Sequence, residues 1–596
     1  MPFIVDFQPV GRRSEFTTED SLLECARQLG LDLVSLCGGA GSCKRCKVQL
    51  ISGQLSEPSL IEELALTEEE VLMGYRLACQ AYPLSDVTIH VPPESLTAPQ
   101  RTQVEGLDVA VAPDPMIVSV DAALTPPTLE SARADVRNLK AALLETGVEL
   151  RDLDYLVMQS LPAVLRQNNW RISTALREGE LVAIGSPSTQ WLGLAVDIGT
   201  TKVAGYLVDL ATGKVLGSKG VMNPQIAYGE DVVARIAAAS QPEGGGSKLQ
   251  SILVDAVSKM ARELCEETGH TSDEIADAVV VGNTAMHHLF LGLPVKQLGL
   301  SPYTPVIDTA VDIKAREIGL ELGAGAYVHL LPNIAGYVGA DHVAMLLATK
   351  LDQADETTLA IDIGTNTEIC LSHQGKMTSV SCASGPAFEG AHIKHGMRAA
   401  PGAIEYVRLT NDRLELQTIG GDSPTGICGS GLLDVVAQLR LNEIIDVRGR
   451  LGDHPLVRKE GGSKEFVLAE RPGATPITIT QKDVRELQLA KAAVRMGIMA
   501  LVENAGIEEE DIQKVIIAGA FGTFIDVNSA ITIGMLPDLP LDRFEQVGNA
   551  AGTGARMALI SKMEREKASQ LAEKIGYLEL AQVQDFNERF VEATYL

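Results

Sequence analysis

Short apolar runs alternating with polar residues open the chain. Phe3 to Phe7 reads as a strand and Arg13 to Thr17 as its hairpin partner. Thr18-Glu19-Asp20-Ser21 then supplies capping chemistry for a helix through Leu29, ended by Gly30. Lys47 to Ile51 and Val87 to Val91 are two further strands, so residues 1–94 form one small unit. Between Pro92 and Pro127 seven prolines and little helical periodicity predict a linker over 95–127. Helical patterns around Leu139, Leu143 and Leu144, and again from Leu153 to Leu165, predict a small middle domain over 128–190. From 191 to 596 apolar strands alternate with helices, as at Leu192 to Val196, Ala278 to Val281, Thr358 to Ile361 and Lys514 to Ile517, which predicts an α/β domain.

That last region contains a repeat. Ala195-Val-Asp-Ile-Gly-Thr200 recurs as Ala360-Ile-Asp-Ile-Gly-Thr365 with five of six positions identical. Each copy runs into an apolar stretch and reaches a Gly-Lys turn, Gly213-Lys214 and Gly375-Lys376. A duplicated strand–hairpin–strand unit, giving two related subdomains face to face, is the simplest reading.

Composition narrows the functional classes. Of 596 residues 45% are apolar and 21% charged, enough apolar material for several cores, which excludes disorder as the dominant state. The formal charge of −28 repels phosphate backbones and anionic bilayers, so neither nucleic acid nor a membrane surface is expected as a partner. No apolar run approaches the ~20 residues of a membrane span. The first residues lack a basic stretch followed by an apolar one, so a cytoplasmic location is expected.

Three of the nine cysteines, Cys37, Cys43 and Cys46, crowd into ten residues, with Cys79 further on. This is not a disulfide framework but the pattern of a metal site in a reducing compartment. Gly38, Gly39 and Gly41 let the loop wrap a compact anion and turn N–H groups toward sulfur. The C-x5-C-x2-C spacing with a distant fourth cysteine resembles adrenodoxin-like ferredoxins, and Arg76-Leu-Ala-Cys-Gln80 resembles their fourth-ligand segment. A [2Fe–2S] cluster is therefore expected. A four-cysteine zinc site is the competing reading, although zinc knuckles usually come as two close pairs. Cys25, inside the first helix, reads as a small buried apolar residue.

Asp-Ile-Gly-Thr at a strand end sets a carboxylate beside a tight hairpin. Its Gly admits phosphate close to the backbone, its Thr donates to phosphate oxygens, and the Asp suits water-mediated contact with Mg2+. Two copies 165 residues apart can clamp a nucleotide tail from both sides. Asp197-Ile-Gly-Thr-Thr-Lys202 and Asp362-Ile-Gly-Thr-Asn-Thr367 resemble the two phosphate motifs of the actin/hexokinase/Hsp70 ATPase superfamily, and Ile517-Ala-Gly-Ala-Phe-Gly522 resembles its adenosine motif. Gly336-Tyr-Val-Gly-Ala-Asp341 and Gly548-Asn-Ala-Ala-Gly-Thr-Gly554 fall where that superfamily has its connecting helices. ATP is the nucleotide this implies.

The combination of ferredoxin-like head, linker, middle domain and ATPase resembles the reductive activators of corrinoid proteins, the RACo-like family with an ASKHA ATPase domain. Asn223-Pro-Gln-Ile-Ala-Tyr-Gly-Glu-Asp231, Val281-Gly-Asn-Thr-Ala-Met-His-His288, Ala383-Ser-Gly-Pro-Ala-Phe-Glu-Gly390 and Cys428-Gly-Ser-Gly431 are similar to that family too. The resemblance implies a multidomain α/β and α+β chain: a β-grasp-like [2Fe–2S] domain, a middle domain, and an ATPase of two duplicated RNase H-like subdomains. It implies Cys37, Cys43, Cys46 and Cys79 as cluster ligands. Asp197, Asp362 and Asp341 become the catalytic carboxylates, Asp341 by positioning the attacking water. Gly199, Thr200, Thr201, Lys202, Gly364, Thr365, Asn366, Gly519, Ala520 and Phe521 become the nucleotide contacts, with Mg2+.

The implied activity is ATP-driven transfer of one electron to an inactive Co(II) corrinoid protein or methyltransferase subunit, fed by an upstream donor, in a homodimer. Other readings stay open: an activator of dehydratase type, a small-molecule kinase, or a redox-sensing Hsp70-like module. Cys382 resembles a cluster ligand of the dehydratase activators and Cys428 lies at a plausible distance, but structural thiols are the default. His287 and His288 point to different faces of a helix and read as core or cleft residues, not as one metal site.

Overall fold

The computed structural model describes the chain except for residues 1–2, 9–11, 19, 30, 32, 34–45, 93–94, 96–105, 108, 243, 411–412, 461, 472–474 and 520. The N-terminal unit is a five-stranded mixed sheet of β1 (Phe3–Gln8), β2 (Arg12–Phe16), β3 (Lys47–Ser52), β4 (Tyr75–Leu77) and β5 (Val87–His90), in the order β2-β1-β5-β3-β4. β1 and β2 pair antiparallel, as the hairpin reading predicts, while β1 and β5 run parallel. The helix Leu22–Gln28 begins in a capping box: the Glu24 N–H donates to Ser21 Oγ, and the Ser21 N–H to Glu24 Oε2 at 2.9 Å. It presses Leu22, Leu23, Cys25 and Ala26 onto Val5, Phe7, Val48 and Ile89. Burial pushes the Cys25 thiol up to about 12, so it is the small apolar residue expected of it.

The second unit is a four-stranded sheet of β6 (Ile117–Ala123), β7 (Asp152–Leu153), β8 (Arg171–Arg177) and β9 (Glu180–Gly185), in the order β6-β8-β9-β7. The helices Asp135–Glu145 and Tyr155–Gln167 cover it through Leu139, Leu143, Leu161 and Leu165. β6 pairs with β8 along its whole length although it lies in the segment expected to be a linker. The prolines flank it, at Pro113, Pro115, Pro126 and Pro127, and leave its own amides free to bond.

The rest folds as two copies of one plan. β10 (Leu192–Ile198), β11 (Lys202–Asp209) and β12 (Val215–Met222) form an antiparallel meander, extended on the β10 side by the parallel strands β13 (Ile275–Gly282) and β15 (Tyr327–Leu330), with β14 (Val311–Lys314) at the edge. β16 (Thr358–Ile363), β17 (Thr367–His373) and β18 (Lys376–Cys382) repeat the meander, extended by Lys514–Ala518 and Phe544–Gly548. Numbered by their own strands, both sheets share the run 3-2-1-4; beyond it the first continues as 6-5 and the second as 5, with Gly576–Tyr577 added beside its third strand. Strands buried on both faces account for the nearly continuous apolar runs of β10 and β16.

The helices Ala340–Thr349 and Ala550–Ile560 pack between the halves. Their backbones approach so closely that a Cβ on Gly554 would lie 2.0 Å from the Ala344 carbonyl oxygen. No helix among the described residues is long and apolar enough to cross a membrane.

Candidate functional site

Two centres emerge, one in each type of domain. In the N-terminal sheet, Lys47 of β3 stands opposite Leu77 of β4, and the Ala78 N–H donates to the Cys46 carbonyl at 2.8 Å. This register brings Cys46 Sγ and Cys79 Sγ to 3.4 Å, both buried. Cys37 and Cys43 lie outside the described residues, and no group of three or more metal-binding side chains gathers among the described ones. Two thiols meeting from separate segments are half of the four-thiolate donor set that a [2Fe–2S] cluster takes.

The segment carrying Cys79 is anchored by a buried ion pair. Arg76 Nε and Nη2 donate to the two oxygens of Glu62, each at 2.9 Å, and the Leu77 N–H adds a third bond at 3.0 Å. Burial alone would raise the Glu62 carboxyl, but the bonds from Arg76, Ser59 and Leu77 outweigh it and hold it below its usual range.

The second centre is the cleft between the duplicated halves. Asp197, Gly199, Thr200, Thr201 and Lys202 line one wall, and Asp362, Gly364, Thr365 and Asn366 the other; Asp341, Gly519 and Phe521 line it too. Ala520 lies outside the described residues. The hairpins meet where Thr201 Oγ1 stands 3.3 Å from Thr365 Oγ1. Several motifs noted in the sequence brace these hairpins from behind. Asn223 Nδ2 donates to the Gly199 carbonyl at 2.9 Å, Asn283 Nδ2 donates to Thr200 Oγ1 at 3.0 Å, and buried Arg235 donates to the Thr200 carbonyl. Ser384 Oγ donates to the Gly364 and Thr365 carbonyls, each at 3.2 Å.

Gly519 has φ +91°, and a Cβ there would lie 2.6 Å from both Asp362 Oδ1 and the Ile363 carbonyl, so this position requires glycine. Phe521 stacks on Phe388 with ring centroids 4.8 Å apart.

Four carboxylates face one another across the floor. Asp197, which accepts from Asn549 Nδ2 at 2.9 Å, is pushed up to about 6 by burial. Asp362 is pushed up to about 7 by burial and then by Asp197. Asp341, in the first turn of Ala340–Thr349, is raised well above the usual range by burial, Asp197 and Asp362. Glu368, which the sequence reading missed, is raised by burial, Asp341 and Asp362. Glu368 sits directly across the strand pair from Asp362, whereas Ala204 holds the matching place opposite Asp197. Acids crowded in this way suit a hydrated divalent cation.

The remaining candidates sit in packed surroundings. His288 Nδ1 is 2.7 Å from the Thr284 carbonyl, and its Nε2 accepts from the Val306 N–H at 2.9 Å. His287 is buried and pushed down to about 3, so it stays neutral. Cys382 packs against Gly497, Cys428 Sγ reaches the Ile404 carbonyl at 3.3 Å, and burial raises both thiols.

Comparison with known proteins agrees with this layout along the whole chain. Residues 5–84 match a 2Fe-2S iron-sulfur cluster binding domain, 106–190 the RACo linker region, 192–354 the RACo middle region, and 356–596 the C-terminal domain of RACo, the ASKHA domain. The unit expected as a middle domain thus corresponds to the family's linker region, and the family's middle region is the first half of the duplicated ATPase-like part. The corrinoid activation enzyme RamQ of Eubacterium limosum is 32% identical over 97% of both chains. A Methanosarcina barkeri reductase specific for a Co(II) methylated amine-specific corrinoid protein is 28% identical over 44% of this chain and 50% of its own. A solved reductive activator for a corrinoid, iron-sulfur protein superposes with TM-score 0.73 at 37% identity, covering 100% of this chain and 98% of the other. The chain belongs to the RACo family of reductive activators of corrinoid proteins.

Proposed function

We propose that this protein is an ATP-dependent activase that passes one electron from a [2Fe–2S] cluster to a corrinoid protein resting as Co(II), restoring Co(I) for methyl transfer. The observation that carries this reading is the pairing, in one chain, of the converging Cys46 and Cys79 thiols with a cleft walled by two phosphate-type hairpins. When bound, the cluster supplies a one-electron carrier. Cys37, Cys43, Cys46 and Cys79 hold it, and the Glu62–Arg76 pair fixes the segment of the fourth ligand.

In the cleft, Gly199, Thr200, Thr201 and Lys202 meet the phosphates from one side and Gly364, Thr365 and Asn366 from the other. Gly519, Ala520 and Phe521 lie along the adenosine. Asp197 and Asp362, joined by Glu368, would hold Mg2+ through water, and its charge would offset theirs. Asp341 orients the attacking water and is placed to accept its proton. ATP drives the reduction because the open and closed arrangements of the two halves differ in affinity for the corrinoid partner.

A separate electron donor, a homodimeric assembly and a cytoplasmic location complete the proposal. The domains divide as 1–94, 95–127, 128–190 and 191–596, with β6 joining the third of these. The test is anaerobic: the reduced holoprotein is mixed with a Co(II) corrinoid protein, and the Co(I) absorption band is followed with and without MgATP. Co(I) that forms only with MgATP, and not with Cys79→Ala or Asp197→Ala, supports the reading. Equal rates with and without nucleotide overturn it.

A further inference from the structure

A short chain of polar contacts links the cleft to the N-terminal domain. Glu389, at the end of the turn Pro386–Glu389, places its carboxylate between the two hairpins. Thr201 Oγ1 of the first hairpin donates to Glu389 Oε2 at 2.5 Å, and Thr365 Oγ1 of the second donates to Oε1. These are the two hydroxyls that a nucleotide's terminal phosphate would use, so an internal carboxylate and an external phosphate compete for the same donors.

Behind Glu389 stands Arg398, 5% exposed, with Nε 3.7 Å from Glu389 Oε2. Its Nη1 lies 3.5 Å from Oε1 of Gln8, the last residue of β1 in the ferredoxin-like domain. The Gln8 amide in turn donates to Glu230 Oε1 at 2.5 Å and to Asp6 Oδ1 at 3.1 Å. Beside it, Arg13 Nη2 is 2.5 Å from His392 Nδ1, and His392 Nε2 is 3.7 Å from Glu230. Glu230 belongs to the first half of the cleft, and His392 and Arg398 to the second, so one edge of the ferredoxin-like domain grips both. Arg398 is a cation shared by acids of all three bodies, Asp6, Glu230 and Glu389.

We propose that this contact is a latch: the docked ferredoxin-like domain holds Arg398 and Glu389 in place against Thr201 and Thr365, and a nucleoside triphosphate displaces Glu389 and thereby releases the domain. The inference rests on the ATP-site reading above and adds its regulation. Phosphate takes over the threonine hydroxyls, Glu389 swings toward Arg398, and Gln8 loses its share of the guanidinium. The cluster-bearing domain is then free to move toward a partner. Linkage makes the effect reciprocal, so weakening the docking contact must strengthen triphosphate binding.

Calorimetric titration of the full-length, cluster-loaded protein with the magnesium complexes of the β,γ-imido analogue of ATP and of ADP tests this. Gln8→Ala and the more exposed Arg13→Ala are expected to tighten binding of the triphosphate analogue about fivefold and to leave ADP, which lacks the competing phosphate, nearly unchanged. In a Glu389→Gln background the gain from Gln8→Ala should vanish, because the competing carboxylate is already gone. Small-angle scattering should show the wild type expanding when the analogue binds. The cluster absorption of each variant reports whether its domain is folded, and Arg13→Ala decides the matter if the buried Gln8 position does not tolerate change. Unchanged or weakened analogue binding in both variants overturns the latch while leaving the ATP site standing. Failure of the wild type to bind the analogue at all overturns both.

Discussion

One buried acid in the ferredoxin-like domain and four acids on the floor of the cleft behave in opposite ways. Glu62, 0% exposed, is held as a carboxylate by Arg76, Ser59 and the Leu77 amide. Asp197, Asp341, Asp362 and Glu368 are all pushed toward the protonated form, by burial first and, at Asp341, Asp362 and Glu368, by the neighbouring acids as well, with no cation to offset either. Burial is common to both, and the partner is what differs. An acid with its cation built in serves architecture, while acids assembled without one mark where a ligand is to bring the charge.

The largest expected effect comes from breaking the satisfied pair. Arg76→Met strands Glu62 without its partner and should destabilise the ferredoxin-like domain by about 3–5 kcal/mol. Urea denaturation and iron content per chain check this, and retention of both would mean that the pair does not fix the Cys79 segment. The cleft should respond with the opposite sign. Asp362→Asn should lower MgATP-dependent Co(I) formation about a hundredfold while raising the unfolding midpoint of the metal-free protein, since a repelled acid has been removed. A fall in that midpoint would show that Asp362 is satisfied after all.

The pH dependence sharpens the contrast. Asp197 and Asp362 take up protons near 6 and 7 when folded, and near 4 when unfolded. The native state therefore binds more protons across that window. The contribution of these two groups to the stability of the metal-free protein is full below about pH 4 and is lost as pH rises through the folded values. Denaturation at pH 5 and pH 8, with and without Mg2+, should show this slope and its flattening by the cation. The smallest effect is a control: Ser21→Ala removes a helix cap, costing about 1 kcal/mol, and should leave iron content intact.

What was legible in the sequence was what local pattern encodes. Alternation and capping gave β1, β2 and the Leu22–Gln28 helix to within a residue or two at their ends, and the Asp-Ile-Gly-Thr repeat gave the duplicated meander that opens both sheets. Cys46 and Cys79 meet because β3 and β4 pair, as the ferredoxin resemblance implied. Glu368 was missed although it lies six residues after Asp362. Its signal is a lone carboxylate in an apolar strand, and only the hairpin register places it opposite the aspartate. Arg235, Glu389 and Arg398 were out of reach for another reason: each acts on a hairpin or domain far away in sequence, and such contacts leave no periodicity. β6 was hidden by the prolines that flank it.

The close crossing of Ala340–Thr349 and Ala550–Ile560 has a mechanical consequence. At Gly554 backbone rests on the Ala344 carbonyl, so at that point there is no side chain to strip when one half turns against the other. Such a crossing works as an axle. In a turn about it, atoms beside the crossing would move least, and the hairpin tips and the edge of the ferredoxin-like domain, set further out, would move most. Adding a methyl group at Gly554 would force this bearing apart and misalign both walls of the cleft without touching either hairpin.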